Sequence, residues 1–225
     1  MSCITGVGDT IFSKKTKRST LSLTLEASIK AINDAGLHPD QIDGLIPYGA
    51  SDVCAEDLIT NFNMTNITFS VQTPMGGASC VSALQSAALA VTSGIASHVL
   101  ITLGRGKASG NIANRMLSMP QMKVVNQFER PLGFNAPAQF YAPMATRHMA
   151  LYGTRSEQFA KIAVTSRENA LLNDNAIMKT PITIEDHQKS RVISSPFRLL
   201  DCSLESAGAG ALIVSSLKES EKCRK

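Results

Sequence analysis

The chain has 225 residues, a formal net charge of +4 and 44% hydrophobic residues, with few aromatics and no tryptophan. This length can bury a substantial core in one or two domains, and the predominance of aliphatic and small residues is typical of an α/β protein. The basic residues are scattered apart from one cluster at 14–18, so we do not predict nucleic-acid binding. No apolar run is long enough to span a bilayer.

The five cysteines are far apart in the sequence, and no secretory signal accompanies them. An odd number of unpaired cysteines predicts free thiols in a reducing compartment, so we expect a cytoplasmic protein. The four histidines are equally dispersed and show no metal-ligand spacing. We therefore expect neither a disulfide framework nor a metal site.

Hydrophobic periodicity and turn residues predict the elements of the first half of the chain. In order these are a strand at 3–8, a helix at 20–35 capped by Ser19 or Thr20 and ended by Gly36, a strand at 42–48, a short helix at 58–63, a strand at 67–71, a helix at 81–93 and a strand at 98–103. The last three elements predict a βαβ unit with parallel strands.

The second half begins with an irregular stretch at 104–139 that is rich in Gly, Asn, Met and Pro. This composition predicts a long loop outside the sheet, of the kind that is usually functional. The elements predicted after it are a helix at 138–151 with Pro143 in it or near its start, a helix capped by Thr154 with Glu157, a short helix at 184–190 after Thr183, an extended segment at 197–200 and a strand at 209–216. The continuous apolar run of that strand predicts burial on both faces, and the charged tail after it is expected to fray.

The stretch Gly76-Gly77-Ala78-Ser79-Cys80 separates the strand at 67–71 from the helix at 81–93. That helix carries no charge and is rich in alanine, which predicts a buried helix. A cysteine in its first turn would feel the positive end of the helix dipole, which favours the thiolate. Cys80 is therefore a candidate nucleophile, and the alternative is that it is one more small buried residue.

The run Cys80-Val81-Ser82-Ala83-Leu84-Gln85-Ser86-Ala87 resembles the segment around the nucleophilic cysteine of thiolases. The later run at 149–163, Asp201-Cys202 and the approach to the last strand at 206–209 are similar to thiolases of the sterol-carrier-protein type and their lipid-transfer relatives. The order and spacing of these segments hold over nearly all of the chain. One departure is Ala207, which stands where the family usually carries an aspartate.

The resemblance implies a thiolase-like α/β fold, with one βαβ-based half, a mixed sheet and an inserted helical loop domain. It implies an N-terminal α/β domain over 1–104 and 196–217, the loop domain over 105–195 and a charged tail over 218–225. Thiolases contain two such halves, and the second half supplies a histidine, a second cysteine and an oxyanion donor. The chain has no match to these elements, so the resemblance covers the N-terminal half only.

By resemblance, the chain is expected to be an acyltransferase that handles acyl-CoA through a thioester on Cys80, in Claisen condensation or thiolytic cleavage. Its substrate would be a coenzyme A thioester, with no covalently bound cofactor, and it would be incomplete without a C-terminal half. One alternative is a non-thiolytic aldolase or a lipid-binding or lipid-transfer subunit in which Cys80 is not catalytic. A degenerate fragment without activity is a further alternative.

We also expect a homo- or hetero-oligomer, with the missing half on a partner chain as one possibility. The strand at 209–216 and the helix at 81–93 are apolar on all sides, and exposed apolar surfaces mark interfaces. The strand at 67–71 and the glycines at 76–77 are expected near the contact. None of the four histidines lies in a motif that places it at Cys80, so the catalytic base is not identified.

Overall fold

The computed structural model describes residues 1–49, 52–106 and 123–224. The chain divides into two compact units, a first unit of Met1–Gly110 with Ser206–Lys225 and a second unit of Asn111–Glu205. The assignment of a loop domain to 105–195, made from the sequence, stays a prediction. Within the described ranges, no helix is both long and apolar enough to cross a membrane.

The regular elements follow the predicted order closely. They are β1 (Ser2–Asp9), α1 (Thr20–Asp34), β2 (Gly44–Pro47), α2 (Ala55–Phe62), β3 (Phe69–Ser70), α3 (Ser79–Ser93), β4 (His98–Arg105), α4 (Pro137–Tyr152), α5 (Ser156–Leu171), α6 (Ile184–Lys189), β5 (Val192–Ser194), β6 (Phe197–Arg198), β7 (Gly208–Ser216) and α7 (Leu217–Ser220). A single π-helical turn at Val125–Glu129 precedes α4. Much of the irregular stretch predicted at 104–139 lies outside the described residues.

The first unit is built on a five-stranded mixed sheet with the order β1-β7-β4-β2-β3. β2 pairs in parallel with both β3 and β4, while β7 pairs antiparallel with β4 and with β1. The helix α3 connects β3 to β4, which run in the same direction on either side of β2. The predicted βαβ unit and the mixed sheet of a thiolase-like α/β fold are therefore confirmed.

Two hydrophobic clusters lie on opposite faces of this sheet. Leu100 and Ile213 face α1, which contributes Leu23, Ala27, Ala31 and Ile32. Their strand neighbours point the other way because side chains alternate along a strand, and Val99, Ile101 and Val214 face α3. The predicted burial of the strand at 209–216 on both faces is therefore confirmed, because α1 and α3 cover them, and the strand offers no exposed apolar face for the oligomer contact expected from the sequence.

The helix α3 is buried on one side only. Small residues line its inner side, namely Ala83, Ala87, Ala90 and Val91. Its outer side is uncharged and open, with Val81 73% and Leu89 64% exposed beside the polar Gln85. The prediction of a fully buried helix is therefore wrong for this chain. The absence of charged residues does not by itself imply that another part of the protein covers the helix.

The glycines at 6 and 8 allow α1 to pack closely on β1. A Cβ atom at Gly8 would lie 2.2 Å from the carbonyl oxygen of Ala27, and one at Gly6 would lie 2.2 Å from that of Ala31. Both contacts are with helix backbone, which cannot move aside as a flexible side chain can. The Gly-Val-Gly sequence therefore serves packing between a strand and a helix.

The charged tail does not fray, contrary to the prediction. The hydroxyl of Ser216 accepts a hydrogen bond from the Glu219 backbone N–H and caps α7. Cys223 is buried, and the Arg224 backbone N–H donates to the Ala35 carbonyl at 2.9 Å. The tail is held in place because it donates a hydrogen bond to a backbone carbonyl at the C-terminal end of α1 that has no partner within the helix.

Of the two helix N-caps predicted in the second unit, one is wrong and one is confirmed. Thr154 does not cap α5, because the Arg155 backbone N–H bonds to the Gln158 side chain at 2.7 Å and the Thr154 hydroxyl instead lies 3.0 Å from Nε2 of His148. Thr183 caps α6 as predicted, with its hydroxyl accepting from the Asp186 backbone N–H. Pro143 lies within α4.

Candidate active site

Cys80 is the second residue of α3 and is exposed to solvent. The helix starts after β3, at the end of the sheet formed by the carboxyl termini of the parallel strands β2, β3 and β4. Ligands of open α/β sheets bind at this edge. The predicted position of Cys80 at a helix start is therefore confirmed, whereas its catalytic role stays a prediction.

The loop before Cys80 is fixed by two hydrogen bonds around Ser79. The buried Thr73 hydroxyl donates to the Ser79 carbonyl at 2.9 Å, and the Met75 backbone N–H donates to the Ser79 hydroxyl at 2.9 Å. Gly76 has a φ of +59°, a conformation that favours glycine. A Cβ atom at Gly77 would meet nothing within 4 Å, so crowding does not explain this second glycine.

No histidine that could activate the Cys80 thiol lies near it among the described residues of the first unit. Its histidines lie at the other edge of the sheet, since His98 begins β4 and His38 lies in the turn before β2. Cys80 is the second of the 15 residues of α3, so most of the helix lies between it and the start of β4. At about 1.5 Å per residue, that separation is about 20 Å, far beyond proton-transfer distance.

His98 has a structural role in the sheet. Its Nδ1 lies 2.8 Å from the Ser215 hydroxyl, which in turn lies 2.7 Å from the Thr5 hydroxyl, so three neighbouring strands are linked. Burial lowers the pKa of His98, while the nearby Asp43 carboxylate acts in the opposite direction. We conclude that folding favours the neutral imidazole.

The histidines of the second unit have local partners. His148 is exposed and contacts the Thr154 hydroxyl and the ring of Tyr152. His187 is fully buried, and its Nε2 lies 2.7 Å from Oδ1 of Asp201. Sequence analysis singled out Asp201 by resemblance but missed this pair, because no local pattern links two residues that meet only through folding.

Two other thiols, those of Cys54 and Cys202, lie in settings that raise their pKa. Burial, followed by the charge of Asp201, raises the pKa of Cys202. A backbone hydrogen bond at Asp57 acts to lower the pKa of Cys54, but the acidic side chains of Glu56 and Asp57 together raise it. No cluster of three or more metal-ligating side chains occurs in the described part of the chain.

No protein-family model matches the chain. A steroid side-chain-cleaving aldolase of Thermomonospora curvata is 38% identical over 219 residues, which cover 95% of this chain and 56% of that protein. A 17-hydroxy-3-oxo-4-pregnene-20-carboxyl-CoA lyase of Mycobacterium tuberculosis is 36% identical, with coverages of 95% and 57%. An acetyl-CoA acetyltransferase of Methanocaldococcus jannaschii is 33% identical, with coverages of 98% and 56%. The chain thus spans about half the length of the curated relatives it matches.

Solved structures give the same fold. An Ltp2-ChsH2(DUF35) aldolase matches with a TM-score of 0.88 and 38% identity, over 99% of this chain and 57% of that chain. A monomeric SCP2-thiolase like protein type 1 from Mycobacterium smegmatis matches with a TM-score of 0.76 over 98% of this chain and 46% of that chain. The identity to the second structure is 17%, so it supports the fold alone.

Proposed function

We propose that this chain, a thiolase-fold homologue of the sterol-carrier-protein type, is part of a carbon–carbon lyase that acts on coenzyme A thioesters. In this proposal the chain belongs to an aldolase-type enzyme, and Cys80 is not its nucleophile. A non-thiolytic aldolase was one of the alternatives in the sequence analysis, and we prefer it here to thiolysis. The names of the relatives at 38% and 36% identity, an aldolase and a CoA-thioester lyase, support it.

The observation that carries the proposal is the similarity to the Ltp2-ChsH2(DUF35) aldolase, which matches 99% of this chain with a TM-score of 0.88 and 38% identity. Thiolysis requires a deprotonated nucleophile next to a proton acceptor. The first unit offers a cysteine that is exposed and histidines about 20 Å away at the opposite sheet edge. These histidines therefore do not serve Cys80 as a base, and a thiolase would take that base from its second half.

The chemistry of a β-hydroxyacyl thioester fits this requirement. A base removes the hydroxyl proton, the bond between the carbinol carbon and the α-carbon breaks, and its electron pair forms the thioester enolate. The same bond cleavage turns a tertiary carbinol carbon into a ketone, and protonation of the enolate then gives the shorter acyl-CoA. The step needs one base and donors to the enolate oxygen but no thiolate, and we propose that these groups lie outside this chain.

We further propose that the chain works in a hetero-oligomer. The solved relative with a TM-score of 0.88 is named as a complex of two proteins. The open side of α3 is uncharged and exposes two large apolar side chains, Val81 and Leu89, on a helix that also carries Cys80 at its start. We propose that a second polypeptide covers this side of α3 and completes the active site.

The proposal is tested by supplying the chain with a thiolase-type second half and offering the assembly two substrates. One is a tertiary β-hydroxyacyl-CoA, and the other is a 3-oxoacyl-CoA with free coenzyme A. We expect ketone and the shortened acyl-CoA from the first substrate and no acyl transfer to coenzyme A from the second, both measured by liquid chromatography with mass spectrometry. Efficient thiolysis with no cleavage of the hydroxy substrate would support the acyltransferase alternative instead.

A further inference from the structure

The second unit contains an open cavity of about 580 Å³ beside α5. Most of its wall is apolar and half-buried, formed by Phe159, Ala163, Ala170, Met178, Ile182, Phe197 and Leu200. Pockets for small molecules have volumes of roughly 300–1,000 Å³ and are lined mainly by apolar side chains with a few polar groups. The size and lining of this cavity therefore fit an apolar ligand.

Arg167 is the cationic group in the wall of this cavity. One of its nitrogens, Nη1, donates to the Thr180 carbonyl at 2.6 Å. Among the described residues no carboxylate pairs with the guanidinium, so its other N–H groups remain for a ligand. A guanidinium binds a carboxylate through two parallel hydrogen bonds, which makes an anionic group the best match for this position.

The acidic and thiol groups of the wall do not compete for Arg167. Both oxygens of Asp201 are engaged, Oδ1 with Nε2 of His187 and Oδ2 with the Arg198 backbone N–H, each at 2.7 Å. The Cys202 thiol donates to the Arg198 carbonyl at 3.4 Å. Arg167 is thus the charged side chain of the wall that is left to select a ligand.

We propose that this cavity binds an apolar molecule that carries a carboxylate, with the apolar body against Phe159 and Phe197 and the carboxylate on Arg167. The rings of the two phenylalanines already pack together, with centroids 5.9 Å apart, and provide a rigid apolar surface. The ligand class is that of fatty carboxylates and comparable apolar acids. This site uses no group assigned to the lyase reaction.

The test is calorimetric titration of the full chain with dodecanoate and with the uncharged dodecan-1-ol. We expect saturable binding of dodecanoate at one site and an approximately tenfold weaker affinity in Arg167→Gln, as for a lost charge-assisted hydrogen bond. The affinity for dodecan-1-ol should not change in this variant. The matched control Arg191→Gln, at an exposed arginine that does not line this cavity, should bind dodecanoate as the unmodified chain does.

A blocking substitution makes the test independent of Arg167. Ser166 is an exposed residue of the cavity wall, so Ser166→Trp should fill the opening without disturbing the core and should abolish dodecanoate binding. Thr165→Trp places the same side chain on the neighbouring exposed position, which does not line the cavity, and should leave binding intact. Equal effects of the two tryptophans, or no saturable binding of dodecanoate, would overturn the proposal. Because no turnover is measured, these results do not depend on the lyase proposal.

Discussion

Removal of the His187 side chain should selectively destabilise the second unit. The imidazole is fully buried, and its partner Asp201 has a side chain only 7% exposed. His187→Ala would leave Oδ1 of this carboxylate buried without its hydrogen bond, and breaking a buried pair in this way typically costs about 3–5 kcal/mol. Among the described residues, the Nδ1 atom of His187 has no hydrogen-bond partner, and its removal offsets part of the cost. We therefore expect the lower end of the range, about 3 kcal/mol.

Hydrogen exchange with mass spectrometry measures this effect locally. A loss of about 3 kcal/mol corresponds to exchange faster by about a hundredfold in α6 and in residues 199–201, where opening is fast relative to exchange. His187→Gln should recover part of the protection, because its amide can still donate to Asp201. His148→Ala is the control, since His148 is exposed and its loss should cost less than about 0.5 kcal/mol. Equal protection in His187→Ala and His148→Ala would refute the assigned role of the buried pair.

Three further predictions concern the first unit. Because burial lowers the pKa of His98, the unfolded chain takes up a proton below about pH 6.5 before the folded chain does, so stability should be constant above that pH and fall as the pH drops below it. Urea titrations at several pH values should show a weaker dependence in His98→Gln, and an unchanged dependence would contradict this assignment. Gly8→Ala should cost about 1–3 kcal/mol by thermal denaturation, because its Cβ would lie 2.2 Å from backbone, whereas Gly77→Ala should have no effect, since nothing lies within 4 Å. Iodoacetamide with peptide mapping should label the exposed Cys80 first and the buried Cys223 last, and simultaneous labelling would argue against the described exposures.

The elements that the sequence predicts well are those with strong local signals. The strand that became β7 is a continuous apolar run, and α1 has a serine cap, periodic apolar residues and a glycine after its end. The start of α3 was predicted for the same reason, because glycines and a charge-free run mark the change from loop to helix. Cys80 could therefore be placed at a helix start from sequence alone.

The features that the sequence does not predict depend on contacts between distant segments. The tail was expected to fray, yet Arg224 bonds to Ala35. The pairing of His187 with Asp201 and the cavity beside Arg167 likewise depend on how α5, α6 and the segment after β6 pack together. The exposure of Val81 and Leu89 could not be predicted either, because a local apolar pattern does not reveal whether a partner covers it.

The proposed cleavage of a carbon–carbon bond without a nucleophilic cysteine is tested by Cys80→Ala in the assembly with a thiolase-type second half. The measurement is the rate of ketone release from a tertiary β-hydroxyacyl-CoA, with intact-mass analysis of the chain during turnover. We predict an unchanged rate in Cys80→Ala and no acyl adduct on the unmodified chain. Loss of the reaction in Cys80→Ala together with an acyl thioester on Cys80 would contradict the lyase proposal and establish the cysteine as the nucleophile.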